Sequence, residues 1–312
     1  MLIIAIKSEL MNSTKIYKML YAGLLSEKVR VKGEEVIISV AIISFFVHLM
    51  LVLLNDFDIL QLDEYSRLLT NPIAAIYTPF SFVLIYEVYL LVYYLPKSTT
   101  FYIGKQYEII TLILIRNVFK DLSQLEFTPD WFNVASDLRF TYDLAATLVL
   151  FFMIFIFYKL NERRCIESGK PLELSPEVKR FIRLKEIIAM ILIPVFLLLA
   201  FFSLGSWFYQ SFFSISQLVY SVKDVNKVFF DEFFTVLILI DVLLLLISFL
   251  LTDEFHRVIR NSGFIISTIL IKLSFSIEGL LSVILILVAV LFGVIILAIS
   301  NQYERLGRKH PQ

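Results

Sequence analysis

Apolar runs alternate along the chain with short, charge-rich intervals. Eight runs stand out, at 36–54, 73–95, 104–119, 142–158, 187–207, 233–251, 263–276 and 280–300. An α-helix needs about 20 mostly apolar residues to cross the hydrocarbon core of a bilayer. The third and seventh runs are short and carry charge, so they are expected to re-enter the membrane or to pack inside a bundle. The pattern predicts an all-α integral membrane protein of about eight transmembrane helices.

The intervals divide the chain further. Residues 1–35 read as a cytoplasmic amphipathic segment, with Ile16, Met19, Leu20, Leu24 and Val29 set against Lys15, Lys18 and Lys28. Such a basic amphipathic helix suits an anionic membrane surface. Residues 36–158 form a first half of four spans, and 159–186 a basic cytoplasmic loop with turn markers at Gly169, Pro171 and Pro176. Residues 187–300 form a second half of four spans, and 301–312 a cytoplasmic tail. Without gaps, Tyr107–Phe119 aligns with Gly263–Phe275, so that Arg116 falls on Lys272. In both halves an acid-bearing span precedes a base-bearing span. This makes two parallel four-helix repeats the candidate organisation, related by an axis along the membrane normal.

Charge fixes the expected orientation. If the N-terminus is cytoplasmic and all eight runs cross, 21 of the 28 basic residues lie on the cytoplasmic side. Only Arg67, Lys120, Arg139, Lys223 and Lys227 then lie outside. That asymmetry follows the positive-inside rule, and it places both termini in the cytoplasm of a multi-pass protein, with the plasma (inner) membrane as the expected location. Trp131, Trp207, Tyr93, Tyr94, Tyr142 and Tyr158 sit near run ends, where aromatic side chains anchor at the interface.

Charges inside the runs are the candidate chemistry. Ionisable groups in a bilayer are costly, so they mark pathways or buried pairs. Glu87, Glu108, Arg116, Asp241 and Lys272 are the candidates. At about 1.5 Å of rise per residue, Asp241 and Lys272 both lie roughly 16 Å deep and are expected to pair. Glu87 at roughly 13 Å and Arg116 at roughly 19 Å are expected to be bridged by their long side chains. Glu108, Leu112, Arg116 and Lys120 recur every fourth residue, predicting one interior-facing stripe. Thr268, Lys272 and Ser276 repeat the pattern. Asp143, at a run end, is expected to be solvated, and His48 to be a hydrogen-bonded packing residue. Pro79, Pro194, Gly263 and Gly293 are hinge candidates.

Composition narrows the function classes. The chain is 59% hydrophobic with no net formal charge, which gives no reason to expect a nucleic-acid partner. Its one cysteine, Cys165, cannot form an intrachain disulfide. No zinc-protease, nucleophile-elbow, phosphate-loop or dinucleotide motif is present, so neither an enzyme nor a cofactor is expected. The fourth and eighth runs lack the regularly spaced arginines of a voltage sensor, and no potassium-filter motif occurs. The expected function is a channel or transporter for a small ion or solute. The alternative is a non-transporting scaffold, sensor or effector subunit whose buried charges are structural pairs. Expected partners are the lipid bilayer, a small ion or solute, and a second copy of the chain or a cytoplasmic protein.

Overall fold

A computed structural model of the chain describes residues 17–57, 75–122, 135–168, 176–213, 225–250, 255–277 and 279–309. Among these residues there are helices and turns but no strand. A short helical segment, 17–24, leads into α1 (Glu27–Asp56). Then follow α2 (Tyr77–Tyr94), α3 (Thr99–Leu122), α4 (Ala135–Ser168), α5 (Pro176–Phe213), α6 (Val225–Phe249), α7 (Phe255–Phe275) and α8 (Leu280–Lys309).

Local signals set several of these ends. Ser26 is the N-cap of α1; its hydroxyl accepts from Val29 N and donates to Ala22 O at 2.7 Å, linking the two helical segments. Ser98 plays the same part for α3, accepting from Phe101 N at 3.2 Å just after Pro96 has ended the preceding helix. Pro176 opens α5 at the position where its missing N–H costs nothing. Gly279 turns the chain from α7 into α8 with φ 73, a left-handed conformation that glycine adopts without strain.

Among the described residues five helices are long and apolar enough to cross a membrane: Tyr17–Asn55, Asp137–Glu162, Val178–Phe202, His256–Phe275 and Leu280–Leu306. Thr78–Tyr94 and Phe233–Phe249 are apolar but shorter, and α3 falls in neither group. The chain is therefore a helical protein with the character of a membrane-embedded bundle. Helices consecutive along the chain alternate in direction, so the ends that carry Lys97, Lys105, Lys159, Lys185 and Arg305 gather at one end, called the basic end below.

Contacts close seven helices into a ring in the order α2, α5, α6, α7, α8, α4, α3 and back to α2. The first helix stands outside, packed on α2. Only 17% of its apolar window is buried, against 39% in each of the other four long helices. Val36, Ile43, Phe46 and Met50 face outward from it, whereas His48 is buried and hydrogen-bonds Thr78 on α2.

The ring has a packed interior. Phe157, Phe196, Phe233, Phe234 and Phe264 are almost wholly buried there. Close helix approach depends on glycine, the residue that lets membrane helices come together. A Cβ at Gly263 would lie 2.6 Å from the Ile296 side chain, and one at Gly104 would lie 2.9 Å from the Tyr158 hydroxyl. At Gly293 it would overlap the Tyr107 hydroxyl outright. Gly263 and Gly293 thus serve packing rather than a hinge, and α5 runs on unbroken through Pro194.

Two intervals differ from expectation. The segment 159–186 is helical for most of its length, because α4 continues to Ser168 and α5 starts at Pro176. The tail is likewise a continuation of α8 to Lys309. Charged residues such as Lys, Glu and Arg are good helix formers, so loss of hydrophobicity ends the apolar run without ending the helix.

Candidate functional site

A cavity of about 40 Å³ opens at the basic end. Its wall comes from the α2–α3 turn and the nearest turns of α3, α5, α6 and α7. A single water needs about 10–15 Å³ of such space, so the cavity has room for about two or three. Tyr102, Lys185, Asp241, Ser248 and Asn261 bring polar groups to the wall, and Phe181, Leu244 and Phe264 supply apolar surface.

Helix periodicity assembles this set. Tyr102 and Gln106 are four apart on α3 and so share a face. Gln106, 1% exposed, is the hub: its amide nitrogen donates to Asp241 Oδ2 at 3.4 Å, and its carbonyl accepts from the Thr268 hydroxyl at 2.9 Å. One side chain on α3 therefore ties α6 to α7. The Tyr102 hydroxyl, fully buried beside Asp241 and Gln106, closes no hydrogen bond of ordinary geometry. The Asn261 Oδ1 atom is likewise buried without a partner.

Lys185 is the basic group that acts electrostatically on Asp241, without a direct salt bridge. Its ammonium donates instead to the Lys97 carbonyl at 3.4 Å and lies 5.2 Å from the Phe181 ring centre. The expected pairing of Asp241 with Lys272 is not what the structure holds. Asp241 lies eight residues from the end of α6, about 12 Å from the basic end. Lys272 lies in the last turn of α7, seventeen residues from that helix's start, or about 25 Å. Counting from apolar boundaries misjudged both depths, because α7 begins at Phe255, ahead of its apolar run, while α6 ends at Phe249, short of the end of its own.

Glu87 and Arg116 occupy a second polar region. Glu87 is seven residues from the end of α2 and Arg116 seventeen from the start of α3, so their Cα atoms stand at different heights. Side chains lean toward the N-terminus of their own helix. The two helices are antiparallel, so these side chains lean toward each other. Arg116 acts electrostatically on Glu87 and donates to the Phe80 carbonyl at 3.5 Å. Both residues are buried, and Glu87 Oε2 has no hydrogen-bond partner.

Glu108 belongs elsewhere. Lys105 binds it at 2.7 Å and the Tyr158 hydroxyl donates to it, at the half-exposed rim of α3 and α4. Leu112, on the stripe expected to face inward, is 43% exposed while Arg116 is 2% exposed. Each four-residue step overshoots a helical turn of 3.6 residues, so a stripe of three steps wanders off one face. On α7 the same drift takes Thr268 from full burial to an exposed Ser276, with Lys272 in between. Asp143, expected to be solvated, is 5% exposed and lies near Asp121 and Arg139.

The aromatic residues also divide. Tyr93 is a buried strap rather than an interface anchor: its hydroxyl donates to Glu27 at 2.6 Å. Tyr89 donates to the Leu24 carbonyl at 2.9 Å and Tyr86 to Glu34 at 3.1 Å. With Tyr17 bonded to Glu186 on α5, these residues hold the N-terminal segment across the basic ends of α2 and α5. Trp131 and the Trp207 side chain lie outside the described residues.

Lys185, Tyr102, Gln106 and Asn261 were not singled out in the sequence. The signal was present in the polar i, i+4 pair Tyr102–Gln106 at the head of an apolar run. Among the described residues no group of three His, Cys, Asp or Glu side chains is placed to hold a metal ion. The arrangement suits binding and exchange of a small polar species next to a buried carboxylate. Comparison of the chain with protein-family models, curated proteins and solved structures finds no match.

Proposed function

We propose that the chain is a multi-pass membrane protein that moves a small ion or solute, with the cavity at its basic end as the mouth of the pathway. The observation that carries this reading is the cavity itself, which leads from the basic end to the buried Asp241 carboxylate. Intramembrane ionisable groups facing a polar cavity are the usual mark of a substrate or ion path. Glu87 and Arg116 supply the next charged region, and Lys272 lies toward the opposite end.

In this reading all eight helices span, with both termini and the basic end in the cytoplasm of the plasma (inner) membrane. The contact order favours two four-helix repeats: α1–α2, α2–α3 and α3–α4 recur as α5–α6, α6–α7 and α7–α8. The test is flux through purified protein in liposomes under an imposed potential, followed for potassium, proton and chloride. Asp241→Asn, folded as judged by gel filtration, is expected to cut the flux by about tenfold, the equivalent of about 1.4 kcal/mol. Equal flux in both proteins would remove the cavity from the pathway.

A second reading, a non-transporting scaffold or effector subunit, draws support from the strapped N-terminal segment and the outward apolar face of α1. Protein without flux of any of the three ions, but retained by a cytoplasmic partner through residues 17–24, would favour it.

A further inference from the structure

The polar groups on the cavity wall have an imbalance that indicates what they are built to hold. Three residues that carry acceptor oxygens line one small space. Asp241 brings a carboxylate, the Tyr102 hydroxyl lies beside it with no hydrogen bond of ordinary geometry, and Asn261 Oδ1 is buried without a hydrogen-bond partner. Gln106 turns its amide donor toward Asp241 and so adds no acceptor. The one cationic side chain among the described residues of the wall, Lys185, is held back by the Lys97 carbonyl and the Phe181 ring and forms no direct salt bridge with Asp241. A buried carboxylate with orphaned oxygens beside it needs a positive or donor species. The side chain that could supply one sits nearby but is not seated.

We propose that this cavity is a binding site for a small monovalent cation, of the alkali or ammonium class, which competes with the Lys185 ammonium for Asp241. This rests on the reading of the cavity as the mouth of an ion pathway. Size and charge both point to a monovalent ion. The space holds about two or three water-sized centres, enough for an unhydrated or singly hydrated ion. A divalent hard cation takes six or more oxygen ligands, commonly from several carboxylates, and this wall offers one carboxylate. An anion would meet the Asp241 charge with Lys185 as its only cationic partner. The lysine stem is long and flexible, so the ammonium can swing toward Asp241 or stay back on the Lys97 carbonyl when a cation is bound.

The test is thermal unfolding of the purified full-length protein in detergent, at constant ionic strength. Sodium, potassium, lithium or ammonium chloride replaces choline chloride in increasing amounts. Binding to the folded state raises Tm in a concentration-dependent way. At least one small cation is expected to give a saturable rise that choline does not. Lys185→Met, which removes the competitor, is expected to lower the midpoint concentration by about tenfold, since a like charge this close in a poorly solvated site repels strongly. Asp241→Asn is expected to abolish the rise. Should that variant fail to fold, Tyr102→Phe serves, with an expected rise in the midpoint. A shift seen in Lys185→Met alone also supports the proposal, because it places the native lysine in the site.

Absence of a saturable shift in both wild type and Lys185→Met overturns the proposal. So does a shift that choline reproduces, or one that neither Asp241→Asn nor Tyr102→Phe alters. Liposome flux separates this from the wider reading. Flux without Asp241-dependent cation binding leaves a pathway of another kind, and cation binding without flux leaves a cation site in a protein that does not transport.

Discussion

At the scale of single residues, the interior depends on a few side chains that have no substitute. Tyr107 is the clearest case. Its hydroxyl bonds Ser267 at 2.8 Å, and Ser267 in turn donates to the Ala289 carbonyl at 2.7 Å, so α3, α7 and α8 are stitched through two hydroxyls. That chain exists because Gly293 leaves room for the phenol oxygen. Gly293→Ala is expected to destabilise the protein by about 1–3 kcal/mol, the usual cost of overpacking. Adding Tyr107→Phe removes the clashing oxygen and is expected to recover part of that loss, measured by thermal unfolding in detergent. If the double variant is no more stable than Gly293→Ala alone, the clash is not the cause. The same scale shows which parts of the site could be read from sequence. Glu87, Arg116 and Asp241 stand out as charges within apolar runs. Lys185 does not, because it follows Lys179, Arg180 and Arg183 in a basic stretch and only helix packing turns it inward. Tyr102 and Gln106 are uncharged and leave no mark on a hydropathy profile.

At the scale of elements, apolar runs located every helix but not its ends. Lys159–Ser168 and Pro176–Lys185 are polar enough to look like loop and helical enough to extend α4 and α5. The ends of α6 and α7 were misplaced in the same way, α6 stopping short of its run and α7 starting ahead of its own, and the Asp241–Lys272 pairing failed for that reason. The strap at the start of the chain was also hidden, because Tyr86, Tyr89 and Tyr93 look like ordinary apolar aromatics until their hydroxyls find α1 and residue 24. Each of those hydrogen bonds is worth about 0.5–1.5 kcal/mol. Replacing all three tyrosines with phenylalanine keeps the ring packing and removes the bonds. Trypsin is expected to cleave at Lys18 and Lys28 faster in that variant, with little change in the melting of the bundle. Unchanged cleavage would mean that the rings alone hold the segment.

At the scale of the whole molecule, the alternation of direction between consecutive helices sets which helix ends share a face of the bundle, and in the proposed reading a side of the membrane. Ser98 lies at the basic end and Ser276 at the other, and both are exposed. In a Cys165→Ser background, cysteines placed at these two positions are expected to react with a membrane-impermeant maleimide from opposite sides of sealed vesicles. Labelling of both from one side would contradict the alternating bundle. The ring order itself was not legible in the sequence. Hydrophobicity is nearly uniform around most of these helices, so it marks which segments associate without saying which neighbour each one takes.

The ring also has a direction in time. A ribosome releases α1 to α7 before α8, yet α8 is the element that lies between α4 and α7 and completes the circle. Until it arrives, the polar atoms of α3 and α7 have no finished enclosure, and Tyr107 has no glycine to rest against. A nascent chain therefore passes through an interval as an open crescent in which the Tyr107 and Ser267 hydroxyls lack the cover that α8 provides. Quality control that monitors exposed polar groups in the bilayer would see any product that stops short of α8 as unfinished.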